Sequence, residues 1–211
     1  MNTVQPIRDI NKLHAMEKYL KKKSMRDYML VRLGCYSGLR ISDIIKLKVK
    51  DVRNKTHFKL KENKTDKSKK LLIPPEIKEE IDEYIKNMND DDYLFPSQKY
   101  NDYVLVKNPN KNGSRYIKVA NTSSNSPISR VQAYRIINEA ARKVGIKDEI
   151  GTHSLRKTFG YHFYMRYKNN PKYDPVSILQ MIFNHSKRDT TLRYIGITQD
   201  DIDDMMRGFI L

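Results

Sequence analysis

Between residues 151 and 196 the chain reads GTHSLRKTFGYHFYMRYKNNPKYDPVSILQMIFNHSKRDTTLRYIG, and four of its side chains, His153, Arg156, His185 and Tyr194, are of types that handle a phosphate. His153 and Arg156 lie three apart, on one face of a helix, and Tyr194 follows His185 by nine residues across a short polar break. With Arg40 from far upstream, the set suggests attack on a phosphodiester by a tyrosine. A phenol with a pKa of about 10 is a poor nucleophile at neutral pH, so it needs a proton acceptor or cationic surroundings. Histidine and arginine supply both. The transition state spreads negative charge over the non-bridging oxygens, and a planar guanidinium holds two of them at once through charge-assisted hydrogen bonds. Two arginines could therefore clamp it without a metal ion. The run DDDYLFPS, at 90 to 97, has consecutive carboxylates pointing in different directions and no histidine beside them, so neither metal nor cofactor is expected.

Three pieces carry a resemblance. GLRISDIIKL (38 to 47), HSLRKTF (153 to 159) and FNHSKRDTTLRYI (183 to 195) are similar, in order and separation, to the boxes of the tyrosine recombinases, or phage-type integrases, and the likeness runs from about residue 9 to residue 197. Three boxes in register are far more specific than one short motif. The resemblance implies a mainly helical α+β catalytic domain with small antiparallel hairpins, cleaving and rejoining double-stranded DNA through a covalent 3′-phosphotyrosine. It implies that Arg40 and Arg156 clamp the phosphate, His153 handles the tyrosine proton, His185 donates to the phosphate, and Tyr194 is the nucleophile. It also implies that a hairpin lysine protonates the leaving 5′ oxygen. Lys64, in the Lys64-Thr65 pair, matches that lysine, but the turn is about two residues longer than usual, so Lys67 and Lys69 stay open. Asp43 matches an acidic supporting residue. Two departures stand out: Asn184 replaces a usual glycine, although asparagine tolerates the left-handed conformation, and Lys157 replaces a frequent second histidine.

Each residue has a plainer explanation as well. Arg40 could be a solvated arginine near a helix start, where its charge opposes the dipole. His185 could be a favourable charge at a helix end. Any one of 14 tyrosines is more often core or surface than nucleophile. Two rival functions also stand: a DNA-binding accessory without catalysis on the same scaffold, and a type IB topoisomerase-like enzyme that relaxes DNA without exchanging partners.

Composition points the same way. The net charge of +16, from 41 Lys plus Arg against 25 Asp plus Glu, favours a polyanionic partner. The single Cys35 excludes an intrachain disulfide and reads as core. No apolar signal or membrane segment is evident, so a cytoplasmic location is expected. The 211 residues read as one catalytic domain, with no room for the separate DNA-clamping domain that begins most such recombinases. The chain is thus expected to be a minimal enzyme or a fragment. A homo-oligomer, a tetramer on DNA, is implied, with the segment 198 to 211 docking on a neighbouring subunit.

The elements that must position these residues follow from periodicity. Asp9 should cap a helix to about Lys22, and Ser24 a second that ends at Gly38, leaving Arg40 at the turn into a short helix from about Ser42 to Lys48. Hairpins are expected around ENKTDKSK and around NPNKNG. Helices should run from Pro75 to Met88, and from Pro127 to Val144 with Val131, Tyr134, Ile137 and Ala141 inward. Thr152 should cap the helix carrying His153 and Arg156. Asp174 should start the next, through Phe183, and Ser186 or Asp189 a short one bearing Tyr194. The remainder reads as an amphipathic tail helix with Ile202, Met206 and Phe209 on one side. ANTSSNSP, at 120 to 127, reads as a linker.

Overall fold

The computed structural model describes residues 4–61, 68–97, 103–107, 116–120 and 126–209. In chain order these form α1 (Ile10–Lys23), α2 (Met25–Ser37), α3 (Ile41–Ile44), β1 (His57–Lys61), β2 (Ser68–Leu72), α4 (Pro75–Tyr84), β3 (Tyr103–Lys107), β4 (Tyr116–Ala120), α5 (Arg130–Lys143), α6 (Thr152–Tyr167), α7 (Pro175–Phe183), α8 (Arg188–Ile195) and α9 (Ile197–Gly208). The fold is mainly helical with two antiparallel hairpins, β1 with β2 and β3 with β4. The expected class and both hairpins are therefore found. Their turns lie outside the described residues, and with them Lys64 and Lys67; the side chain of Lys69 is likewise outside, as is most of the linker at 120 to 127.

Helix α2 is the centre of the main core. Met29, Leu30, Val31 and Leu33 are fully buried on it, and α1, α4, α5 and α6 all pack around it. Its ends are set by sequence: Ser24 accepts from the Asp27 N–H, and Gly38 closes the helix at φ 64°. Asp9 caps α1 by accepting from the Asn11 and Lys12 N–H groups. A second, smaller core joins Leu179 and Phe183 of α7 to Ile195 and Ile197, with Phe159 and Phe163 of α6 against it. The site lies where these two cores meet.

Several expectations shift. The short helix after Arg40 is one turn, Ile41–Ile44, and is followed by a 3-10 turn at Val49–Asp51. Helix α5 begins at Arg130, with Ser129 accepting from the Gln132 N–H, rather than at Pro127. Pro127 instead bridges to Pro96 in an extended pairing. The buried stripe runs through Ala133, Ile136, Ile137, Ala140 and Ala141, leaving Val131 and Tyr134 58% and 48% exposed. Thr152 is the first residue of α6, not its cap; the Gly151 N–H donates to Ser154 Oγ there.

Candidate active site

Arg156 is the anchor. It is buried at 6% exposure, and its guanidinium donates to the Gly38 carbonyl at the end of α2 and to the Phe183 carbonyl at the end of α7, the latter at 3.0 Å. Its face lies 4.3 Å from the centre of the Phe183 ring. Two carbonyls and an aromatic face hold a planar cation in one orientation, which a lysine could not match. The Tyr194 ring lies 5.4 Å from the same Phe183 ring, close enough for the guanidinium charge to act on its phenol. Burial draws the guanidinium down to about 10, with the Arg40 charge adding and the Tyr194 and Asp43 oxygens opposing. It remains a cation at neutral pH.

Two close approaches put it there. A Cβ on Gly34 would sit 2.5 Å from Leu155 Cδ1, so α2 and α6 touch one turn before Gly38 and one residue before Arg156. A Cβ on Gly160 would sit 2.5 Å from Ile195 Cγ2 and 2.9 Å from Phe183 Cζ, which brings α7 and α8 onto α6 one turn beyond Arg156. The same contact sets Tyr194, next to Ile195, beside the guanidinium. The Arg188–Asp174 pair at 2.6 Å ties the start of α8 to the start of α7. Being exposed, that pair contributes register more than stability.

The other cations and rings surround this anchor. Arg40 is exposed at the N-cap of α3, extended at φ −72° and ψ 144°, directly after the buried Leu39. Its charge acts on Arg156, His153, His185 and Tyr194 alike. His153 is an exposed residue in the first turn of α6; partial desolvation of its ring, then the charges of Arg130, Arg156, Lys157 and Arg40, hold it below the ordinary histidine value. His185 follows Asn184, which closes α7 in the left-handed region at φ 54°, as its residue type allows. The His185 ring lies 5.2 Å from the Tyr194 ring and 5.4 Å from that of Phe183, and burial with Arg156 and Arg40 keeps it below the ordinary value. Burial also holds the Tyr194 phenol above its ordinary value, against the opposing pull of Arg156 and Arg40.

The five residues Arg40, His153, Arg156, His185 and Tyr194 are thus brought within one electrostatic neighbourhood, in which the Asp43 charge also acts on Arg156. Two participants escape a sequence reading, and a third, Lys157, is legible there only as a departure from the family pattern. Lys157 lies 5.3 Å from the Tyr194 ring centre while donating to the Val4 carbonyl at 2.8 Å. Arg130, at the start of α5, faces His153. Thr191, fully buried, meets His185 Nδ1 at 3.1 Å; its spacing of three from Tyr194 was the available signal. Among the described residues no group of three His, Cys, Asp or Glu could hold a metal ion, and no helix is long and apolar enough to cross a membrane.

The sequence pattern of the phage integrase family matches residues 7–200. The probable integrase/recombinase YoeC of Bacillus subtilis is 46% identical over 200 residues, which cover 95% of this chain and 93% of that one. Tyrosine recombinase XerA of Pyrococcus furiosus is 27% identical over 180 residues, 85% of this chain but 53% of that one. In fold, the chain resembles the crystal structure of a XerA recombinase at a TM-score of 0.67 and 19% identity, covering 99% of this chain and 65% of that one. It also resembles XerH bound to a palindromic difH substrate in a post-cleavage complex, at 0.64 and 17%, covering 97% and 53%. The chain therefore spans nearly all of the Bacillus relative and about half to two thirds of the Xer recombinases. With the family pattern matched over most of its length and a relative at 46% identity, this chain belongs to the phage integrase family, the tyrosine recombinases.

Proposed function

We propose that the chain cleaves and rejoins double-stranded DNA at specific sites by attack of Tyr194 on a phosphodiester, leaving the protein on the 3′ phosphate and freeing a 5′ hydroxyl. The observation that carries this is that Tyr194 and a buried, rigidly held Arg156 pack on the same Phe183 ring, where the charges of Arg156 and the exposed Arg40 both act on the phenol. A phosphate beside Tyr194 meets the guanidinium groups of Arg40 and Arg156, the latter held by two carbonyls before it arrives, and such preorganised charge stabilises developing charge without reorganisation. His153, neutral at pH 7, accepts the phenol proton as the O–P bond forms. His185 donates to a non-bridging oxygen. A lysine of the β1–β2 turn, Lys64 by the family pattern, protonates the departing 5′ oxygen. Rejoining reverses the steps, with the 5′ hydroxyl displacing the tyrosine. Two strands exchange when copies of the chain assemble on DNA. The arginines supply the positive charge a metal would otherwise bring, so cleavage proceeds in chelator.

The test is a nicked duplex whose cleaved fragment diffuses away, so that the protein is trapped. A covalent adduct resistant to denaturant should form, map to Tyr194 and be lost in Tyr194→Phe with DNA binding retained, since only the nucleophilic oxygen is removed. Arg156→Ala should slow the adduct by about a hundredfold or more. Wild-type protein that binds the duplex and never forms the adduct would overturn strand cleavage in favour of an accessory role.

A further inference from the structure

The Thr191 hydroxyl is completely buried in α8, and among the described residues its hydrogen-bond partner is His185 Nδ1 at 3.1 Å. It does not bond back to its own helix in the way that the Ser37 hydroxyl of α2 donates to the Leu33 carbonyl. A hydroxyl carries one proton to donate, and a buried one left without an acceptor bears its whole desolvation penalty. If His185 donated from Nδ1, the hydroxyl proton would have no place to go. If Nδ1 accepts, both groups are satisfied.

We infer that Thr191 donates to His185 Nδ1 and so fixes the ring as the Nε2–H tautomer, making His185 a neutral hydrogen-bond donor aimed at the phosphate. Thr191 is then a positioning residue, acting through the histidine. The phosphate half of this inference rests on the function proposed above; the tautomer does not. The groups facing His185 are Arg156 from α6, Arg40 from the turn after α2 and Tyr194 from α8, so a third positive charge there would be repelled. A neutral donor still supplies an N–H. The ring is also held sideways by Phe183 and Tyr194, at 5.4 and 5.2 Å, so the Thr191 bond fixes which nitrogen points inward and the rings fix the plane.

The experiment reads the tautomer directly. In nitrogen-15-labelled whole protein without DNA at pH 7.5, with His185 assigned by its loss in His185→Gln, Nδ1 should give the signature of an unprotonated acceptor and Nε2 that of a protonated nitrogen. Thr191→Val keeps the shape and removes the hydroxyl. The spectrum should move toward the Nδ1–H form, and single-turnover adduct formation should fall on the order of tenfold, the scale on which loss of a histidine's orienting partner acts, with DNA affinity unchanged. Thr191→Ser should restore both. A protonated Nδ1 in the wild type overturns the inference, as does a valine variant with an unaltered spectrum, and the wild-type spectrum decides even where the valine variant fails to fold. Wild type that shows the Nε2–H form yet never forms the adduct supports the tautomer and removes the strand-transfer reading instead.

Discussion

At the scale of single residues, the site is a set of groups whose surroundings push them away from their ordinary protonation. His153 and His185 are both held below the usual value, by burial first and then by nearby arginines, while burial holds Tyr194 above its own. The signs give a pH profile. His153 with a lowered pKa is a neutral acceptor above about pH 6.5, and loses that capacity as pH falls through the lower folded value. Tyr194 does not ionise unaided below about pH 10. Single-turnover adduct formation should therefore be flat between pH 7 and 9 and decline on the acid side of 6.5, and His153→Gln should be slow throughout and lack the acid limb. A wild-type rate that rises steadily from pH 7 to 9 would show instead that the phenol must ionise without His153. The anchor itself does not titrate in this window, because Arg156 remains charged.

At the scale of elements, α6 carries the geometry: Leu155 packs onto Gly34 of α2, and its own Gly160 admits Phe183 of α7 and Ile195 of α8. Gly160 is where this can be tested. Alanine favours a helix over glycine by up to about 1 kcal/mol, yet here its Cβ would meet Ile195 and Phe183, both fully buried and unable to yield. Sterics should win: Gly160→Ala should be destabilised by about 1–3 kcal/mol in urea, with adduct formation reduced more than DNA binding. A variant as stable as wild type would mean that α7 and α8 are not held by this contact. Much of the frame was legible in the sequence. Asp9, Ser24 and Asp174 announce their helices because capping is local, and Gly38 and Asn184 mark ends because few residues accept positive φ. The five site residues were legible through a family resemblance, since nothing local says that residue 40 meets residue 156. What escaped depends on tertiary packing. Helix α5 starts late, with Pro127 taken by a pairing with Pro96, and its buried stripe excludes Val131 and Tyr134 because the helices it packs on decide which face is covered. Thr191 looks like an ordinary helical residue until α7 and α8 are packed together, and the contact of Lys157 with Tyr194 forms only once α6 meets α8.

At the scale of the whole molecule, the charge of +16 is a field rather than a set of pairs, and it predicts how the protein meets DNA. Each phosphate neutralised releases condensed counterions, so log affinity should fall linearly with log salt at a slope of about −0.9 per contact. A flat dependence in filter-binding or anisotropy titrations would rule out an electrostatic footprint. The C-terminal helix poses the assembly question. Helix α9 is packed chiefly on α8, follows directly after the left-handed Gly196, and ends with Met206 and Phe209 at 66% and 64% exposure. Two large apolar groups left in water at the end of an amphipathic helix cost burial that a second copy could provide. The helix begins only three residues after Tyr194, so its docking would report to that residue. Deleting residues 199 to 211 should accordingly reduce assembly of multimers on a two-site DNA, read by analytical ultracentrifugation, more than adduct formation on a single nicked site. Equal loss in both assays would place the helix against its own subunit, as a brace for α8 rather than a link between copies.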